Sequence, residues 1–167
     1  MKNGVLIVMG SVNDFPKIEP AIEVLKSYGV PFRATVASAH RSPERTAQIA
    51  QSARADGFGA IIAAAGGAHH LGGAVAANTT LPVIALPISA GGLGGLDSLL
   101  SAVQMPGGVP IAAVGIDAAR NAALFAASIL AGADEALARR LDEAREKQRI
   151  AVEESDRGLQ LQLSNED

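Results

Sequence analysis

The stretch VLIVM, residues 5–9, decides the fold class because it is a continuous run of apolar, mostly branched side chains. Such a run is typical of a parallel strand that is buried on both faces of a sheet. Gly10 and Ser11 end the run, and apolar residues then recur at helical spacing from Ile18 to Leu25. The opening of the chain therefore predicts a strand followed by a helix, the first half of a βαβ unit.

The same order of strand and helix repeats along the rest of the chain. Further strands are predicted at 32–38, 60–65, 82–88 and 110–116, with helical patterns between them. Right-handed crossovers place helices on both faces of such a sheet, so we expect an α/β fold: a three-layer α/β/α sandwich with a parallel five-stranded sheet, flavodoxin-like or Rossmann-like. We expect residues 1–167 to form a single domain, with a core at 1–131 and a C-terminal helix and tail at 132–167.

The C-terminal third carries two further patterns. The helix predicted at 118–130 is almost entirely small and apolar, which indicates burial all round. A charged helix is predicted at 134–154, and the leucines of the tail then alternate with polar residues at Leu159, Leu161 and Leu163. We expect these leucines to cover a groove on this or a neighbouring subunit.

The composition excludes several classes of function. The chain has no cysteine, which rules out disulfides, thiolate metal sites and a cysteine nucleophile. Its net charge of -3 argues against a basic surface for nucleic acid. No apolar run is long enough for a membrane span, and the run before Gly10 is too short for a signal peptide, so a cytoplasmic protein is expected. The many small residues indicate that some apolar surface is buried between subunits.

Polar and glycine-rich loops follow four of the predicted strands. They are GSVND (10–14), SAHRS (38–42), AGGAHHLGG (65–73) and SAGGLGG (89–95). In open α/β sheets, ligands bind outside the carboxyl ends of the strands. The four loops should therefore meet at one edge of the sheet, and the sequence predicts a ligand site at that edge.

Single residues in these loops have both an ordinary and a functional interpretation. His40 can give and take a proton near neutral pH, and Arg41 can bind a phosphate through the paired N–H donors of its guanidinium group. An ordinary polar loop could also contain both residues. Asp14 is either the N-cap of the first helix or an acceptor for sugar hydroxyls. His69 and His70 are adjacent and should point apart, so they do not predict a metal site.

The residues together describe a site for a phosphorylated, ribose-like ligand with one proton-transferring histidine. The chain has neither a GxGxxG fingerprint nor a Walker lysine, which disfavours dinucleotide and ATP sites. No cofactor and no metal are expected. Asp97 and Ser98 are interpreted as a helix cap. These observations do not choose the reaction.

Five motifs resemble a single enzyme family, in order and without an evident gap, from about Val5 to Leu130. They are MGSVND, ASAHRSPE, AAAGGAHHLGGAVAA, LPVIALPI and LDSLLSAVQMPGGVPIAAVGI. The chain is similar to the class I N5-carboxyaminoimidazole ribonucleotide mutases of purine biosynthesis. The resemblance implies an isomerase that moves a carboxylate from an exocyclic nitrogen of an aminoimidazole ribonucleotide to ring carbon C4, without ATP, biotin or metal. It also implies a homo-octamer whose final helix reaches a neighbouring subunit.

The same resemblance implies roles for individual residues. His40 would be the catalytic proton shuttle, which protonates the leaving nitrogen and then takes the proton from C4. The residues implied to bind or frame the ribonucleotide substrate are Ser11, Asp14, Ser38, Arg41, Ala65, Gly66, Gly67, His70 and Leu71.

The third loop departs from the pattern of the family, which usually reads GGAAHLPG where this chain reads GGAHHLGG. His69 thus stands in place of a small residue, and Gly72 in place of a proline, whose loss costs order in the loop. Two alternatives to the mutase stay open at this stage. One is a lyase, or a family paralogue, that carboxylates aminoimidazole ribonucleotide or a related substrate directly with carbon dioxide, and the other is a non-catalytic nucleotide-binding module.

Overall fold

The structure is a computed structural model that describes residues 3–164. It divides into two compact units, one ending at Leu130 and the other beginning at Ala131. The strands are β1 (Gly4–Met9), β2 (Phe32–Val36), β3 (Phe58–Gly66), β4 (Val83–Ile88) and β5 (Ala112–Ala113). The α-helices are α1 (Phe15–Ser27), α2 (Pro43–Ser52), α3 (His70–Ala76), α4 (Leu96–Val103), α5 (Ala119–Ala131) and α6 (Glu135–Ser164).

The strands form one parallel sheet in the order β2-β1-β3-β4-β5. From β1 the chain moves to β2 on one side, and it then crosses over to β3, β4 and β5 on the other. The direction of winding therefore reverses between β1 and β3, and a crevice opens at the carboxyl ends of those two strands. The predicted α/β fold with a five-stranded parallel sheet is confirmed.

The core owes its density to small side chains. All six residues of β1 are buried, and β3 contributes several alanines that are fully buried. On one face of the sheet, Leu6 and Val8 belong to a cluster that includes Ala50 of α2 and Val75 of α3. Because alanine carries only one methyl group, helices that pack on it can approach the sheet closely, and the loops at its carboxyl edge are brought close together.

Two predictions about the end of the first unit are wrong. The strand predicted at 110–116 is reduced to Ala112–Ala113 at the edge of the sheet. Pro110 has no N–H to donate, which suits only a sheet edge. The helix α5 is not buried all round, because Phe125 is 42% exposed on the face opposite its buried alanines. A helix made mostly of small apolar residues is therefore not necessarily buried on every side.

The second unit is dominated by one long helix. Asp134 caps α6 by accepting a 3.0 Å hydrogen bond at Oδ1 from the backbone N–H of Leu137. The helix continues well past the predicted end at residue 154, since leucine, glutamine and glutamate are good helix formers. The tail is therefore helical as far as Ser164, and Leu159, Leu161 and Leu163 are exposed on the single chain.

Candidate active site

A cavity of about 580 Å³ opens at the carboxyl edge of the sheet, where β1 and β3 lie side by side. This volume is in the range of small-molecule sites, roughly 300–1,000 Å³. All four predicted loops contribute to its walls. The lining residues are Gly10, Ser11, Asp14, Ser38, Ala39, His40, Arg41, Ala65, Gly66, Gly67, Ala68, Leu71, Ala90, Gly91 and Asp97.

The first loop presents a hydroxyl and a carboxylate to the cavity. Ser11 caps a short 3₁₀ turn, its Oγ accepting a 3.2 Å hydrogen bond from the backbone N–H of Asn13. Asp14 stands at the N-cap position of α1, yet its side chain makes no capping hydrogen bond. Partial burial raises the pKa of Asp14, although the backbone of Ser11 and the charge of Lys17 oppose the rise. The carboxylate is therefore free to accept hydrogen bonds from a ligand.

Arg41 joins the first loop to the second. Its Nη2 donates a 3.1 Å hydrogen bond to the carbonyl of Gly10. Ser38 Oγ accepts hydrogen bonds from the backbone N–H of Arg41, at 3.3 Å, and from its Nε, at 3.4 Å. The hydroxyl oxygen of Ser42 in turn accepts a 2.9 Å hydrogen bond from the backbone N–H of Ser38. The guanidinium is thus positioned beside the cavity with donors to spare, as binding of an anionic group requires.

His40 and His70 meet across the second and third loops. His40 Nε2 lies 2.8 Å from His70 Nδ1, and the two rings are nearly perpendicular, with centroids 4.9 Å apart. One ring must donate a hydrogen bond and the other must accept it, so a single hydrogen lies between the two nitrogens. Both residues are exposed to solvent, and His40 lines the cavity. This contact joins residues 30 positions apart and places a proton carrier at the site.

The start of the third loop packs closely against the end of β4 and the fourth loop. A Cβ added at Gly66 would lie 2.7 Å from Ala90 Cβ and 3.1 Å from the carbonyl oxygen of Ile88. Gly67 has a φ of +64°, a left-handed conformation that glycine adopts without strain. The two glycines therefore serve different ends: Gly66 leaves space for its neighbours, and Gly67 provides the left-handed turn.

The fourth loop is fixed by charges outside the cavity. The carbonyl of Ser89 accepts a 2.6 Å hydrogen bond from Lys17 Nζ, and its N–H donates to Asp117 Oδ1 at 2.9 Å. Lys17 and Asp117 also form an ion pair at 3.0 Å. Burial acts to raise the pKa of Asp117, but the hydrogen bonds from Ser89 and Lys17 outweigh it and lower the pKa. The neighbouring wall residues are held in place by this cluster.

Every residue predicted to bind substrate except His70 lines the cavity, and His70 reaches it through His40. Six lining residues had no individual role predicted: Gly10, Ala39, Ala68, Ala90 and Gly91, which lie within the predicted loops, and Asp97, which lies beyond them. Asp97 was interpreted as a helix cap, but Gly95 occupies the N-cap position of α4. One oxygen of the Asp97 carboxylate is buried without a partner. Its place two residues after the fourth glycine-rich loop was a signal that could have found it.

Residues 3–164 contain neither a metal-ligand cluster nor a membrane-spanning helix. In that range, no three histidine, aspartate or glutamate side chains are grouped closely enough to hold a metal ion. No helix in that range is sufficiently long and apolar to cross a membrane.

Comparison with known proteins agrees with the motifs. The sequence profile of the AIR carboxylase family matches residues 4–151. An N5-carboxyaminoimidazole ribonucleotide mutase from Bacillus subtilis is 50% identical over 151 residues, covering 89% of this chain and 93% of that protein. A protein of the same name from Methanocaldococcus jannaschii is 51% identical over 152 residues, covering 91% and 94% of the two chains.

A solved structure shows the same architecture. The crystal structure of Treponema denticola PurE superposes with a TM-score of 0.84 over 93% of this chain and 97% of that one, at 28% identity. The family resemblance carried by the motifs is confirmed.

Proposed function

This chain belongs to the AIR carboxylase family, and we propose that it is an N5-carboxyaminoimidazole ribonucleotide mutase of purine biosynthesis. The relatives with that name support the reaction. The observation that carries the mechanism is the contact between His40 and His70 at the mouth of the cavity, because the reaction needs one proton delivered and one removed.

In the proposed reaction, His40 begins protonated. The bond between the exocyclic nitrogen and its carboxylate breaks, carbon dioxide leaves, and His40 gives its proton to that nitrogen. C4 then attacks the retained carbon dioxide and forms the new carbon–carbon bond. Neutral His40 removes the proton that C4 still carries, so the histidine ends as it began and no cofactor is consumed. His70 holds the imidazole of His40 between the two transfers through their 2.8 Å contact.

The substrate is proposed to lie across the four loops. Arg41, with Ser38 and Ser11 beside it, would bind the phosphate, because the guanidinium is the strongest anion donor in the cavity. The Asp14 carboxylate would accept hydrogen bonds from the ribose hydroxyls. Since like charges repel, Asp14 and the phosphate should lie apart.

The imidazole end of the substrate would rest on the third loop. The backbone of Ala65, Gly66 and Gly67 is proposed to frame the ring and its carboxylate, with His70 and Leu71 beside them. The methyl groups of Leu71, Ala68 and other lining residues give this end an apolar surface. Such a lining favours retention of carbon dioxide between the two steps, since it excludes water.

We also propose a cytoplasmic homo-octamer, with the C-terminal helix against a neighbouring subunit. Three large side chains of α4 are about half exposed on the single chain: Leu96, Leu100 and Val103. Exposed apolar side chains at helical spacing support burial against another copy. Light scattering coupled to size-exclusion chromatography would report the mass, and a monomer at micromolar concentration would contradict the proposal.

The reaction is tested with substrate labelled with carbon-13 in its carboxylate. For a mutase, NMR should show the label moving to C4 without exchange into added unlabelled bicarbonate. A requirement for bicarbonate and free aminoimidazole ribonucleotide, with no conversion of the N5-carboxylated compound, would instead identify a carboxylase.

The role of His40 is tested by His40→Asn, which removes the titrating imidazole. Turnover should fall by about 10²-fold or more, while substrate binding is retained because the other cavity residues are unchanged. Unchanged turnover would contradict the proton-shuttle role and favour a non-catalytic binding module.

A further inference from the structure

His69 is the most deeply buried titratable side chain of the third loop. It is 1% exposed, although both residues next to it in the chain are exposed. Its Nδ1 lies 3.2 Å from the carbonyl oxygen of Ala65 and 3.3 Å from Ser98 Oγ. Ser98 also donates its own hydroxyl to Ala65 O at 2.7 Å. His69 thus connects the end of β3 to α4.

The contacts of His69 define its tautomer. A carbonyl oxygen can only accept, so Nδ1 must carry the hydrogen, and it can be shared with the hydroxyl oxygen of Ser98. Nε2 then carries a lone pair, and it is buried with no hydrogen-bond partner. Burial lowers the pKa of His69 to about 4, against the opposing effect of the carbonyls of Ala65 and Ala63. The ring is therefore neutral at physiological pH.

The buried ring occupies space that a side chain at position 72 would need. A Cβ added at Gly72 would lie 3.1 Å from His69 Nε2 and 3.2 Å from His69 Cδ2, with Ile111 Cδ1 behind it at 3.4 Å. The ring is rigid and hydrogen-bonded, so it cannot move aside freely. Gly72 has ordinary helical geometry without a positive φ, so its lack of a side chain serves packing rather than backbone conformation.

The position of His69 is transmitted directly to the cavity. Its backbone N–H donates a 2.8 Å hydrogen bond to Ser101 Oγ of α4, which fixes the point where α3 begins. The next residue, His70, is the first of α3 and is the partner of His40. A shift of about 1 Å at the start of α3 would be enough to lengthen that contact beyond hydrogen-bond distance.

We propose that His69 is a positioning residue for the His40–His70 pair, and that it holds α3 in place only because Gly72 leaves room for its ring. The two positions form a matched pair in packing, and the kinetic part of the inference rests on the proposed function. The packing part does not depend on any reaction.

The packing is tested by a double-mutant cycle of His69→Ala and Gly72→Ala, with Gly73→Ala as matched control. Gly72→Ala should lower Tm by roughly 3–10 °C in the natural chain, because it overpacks the ring. In the His69→Ala background it should leave Tm unchanged or raise it, since alanine favours a helix over glycine. Gly73→Ala should be harmless in both backgrounds, because a Cβ there lies 3.5 Å from Met105 Cε, an ordinary contact.

Equal losses from Gly72→Ala in both backgrounds would overturn the matched pair. Should His69→Ala fail to fold, His69→Asn takes its place in the cycle. An asparagine at 69 has no atom equivalent to Nε2, and its amide can still donate to Ala65 O.

The positioning is tested by nitrogen-15 NMR of the imidazoles and by steady-state kinetics. In His69→Ala, the ring nitrogens of His40 and His70 should shift, and kcat should fall by on the order of tenfold with KM changed much less. His69→Asn should restore most of the natural imidazole shifts and most of the lost kcat. Unshifted imidazole signals in folded His69→Ala would overturn the positioning role, whether or not the protein has mutase activity. Absence of turnover in the natural chain would count only against the proposed function.

Discussion

Acidification should destabilise this protein through His69, whose buried ring resists protonation. The pKa of this imidazole is lowered from 6.5 to about 4 by burial, with a smaller contribution from nearby His70. Between those two pH values, the unfolded chain binds a proton that the folded chain does not. The contribution to stability is therefore complete above about pH 6.5 and is lost as the pH falls towards 4.

The size of the effect follows from the two pKa values. A difference of roughly 2.5 units corresponds to about 3 kcal/mol of unfolding free energy when the titration is complete. At about pH 5 the loss should already be about 2 kcal/mol. This is a large share of the total stability of an ordinary domain, which is about 5–15 kcal/mol.

Urea unfolding at a series of pH values would measure this loss, with His69→Asn as the reference. Both proteins carry the same other titrating groups, including Asp14 and Asp117, so the difference between them isolates His69. That difference should shrink by about 2 kcal/mol between about pH 7.5 and pH 5. A difference that stays constant over this range would show that the imidazole titrates normally and refute the reasoning from burial.

Two further substitutions probe the cavity walls. Arg41→Lys should raise KM about tenfold with a smaller effect on kcat, because lysine cannot reproduce the paired donors of a guanidinium group. The control is Arg45→Lys, which alters an arginine outside the cavity and should change neither constant. Equal effects of the two substitutions would contradict the assignment of Arg41 to the phosphate. Gly66→Ala should destabilise the protein by about 1–3 kcal/mol in thermal unfolding, because its Cβ would lie 2.7 Å from Ala90 Cβ; an unchanged Tm would show that the two loops are free to separate.

The parts of the fold that were predictable are those encoded by local patterns. The apolar run of β1 and the alanines of β3 identify buried strands without reference to the rest of the molecule. The edge strand β5 was overestimated, because pairing along a sheet edge depends on a neighbour and not on composition. The predicted helix end at residue 154 was also too early, because the leucines and glutamines that follow it favour a helix as well.

The candidate site was predictable at the level of loops and less so at the level of contacts. Topology requires the loops after parallel strands to meet at one edge, so the set that contains Ser11, Ser38 and Gly66 could be assembled from the sequence. The position of Asp97 in the cavity wall was not predicted, because a carboxylate at the start of a helix is ordinarily a cap. The family motifs supplied the individual roles, which remain proposals.

By itself, the sequence determined the order of strands and helices, the edge of the sheet where a ligand would bind and the family to which the chain belongs. Only the tertiary structure decided that His40 faces His70 and that His69 turns inward against Gly72. The physical reason is one of range. Periodicity and turn residues act over a few positions, whereas the 2.8 Å contact joins two imidazoles 30 positions apart and depends on how their loops pack together.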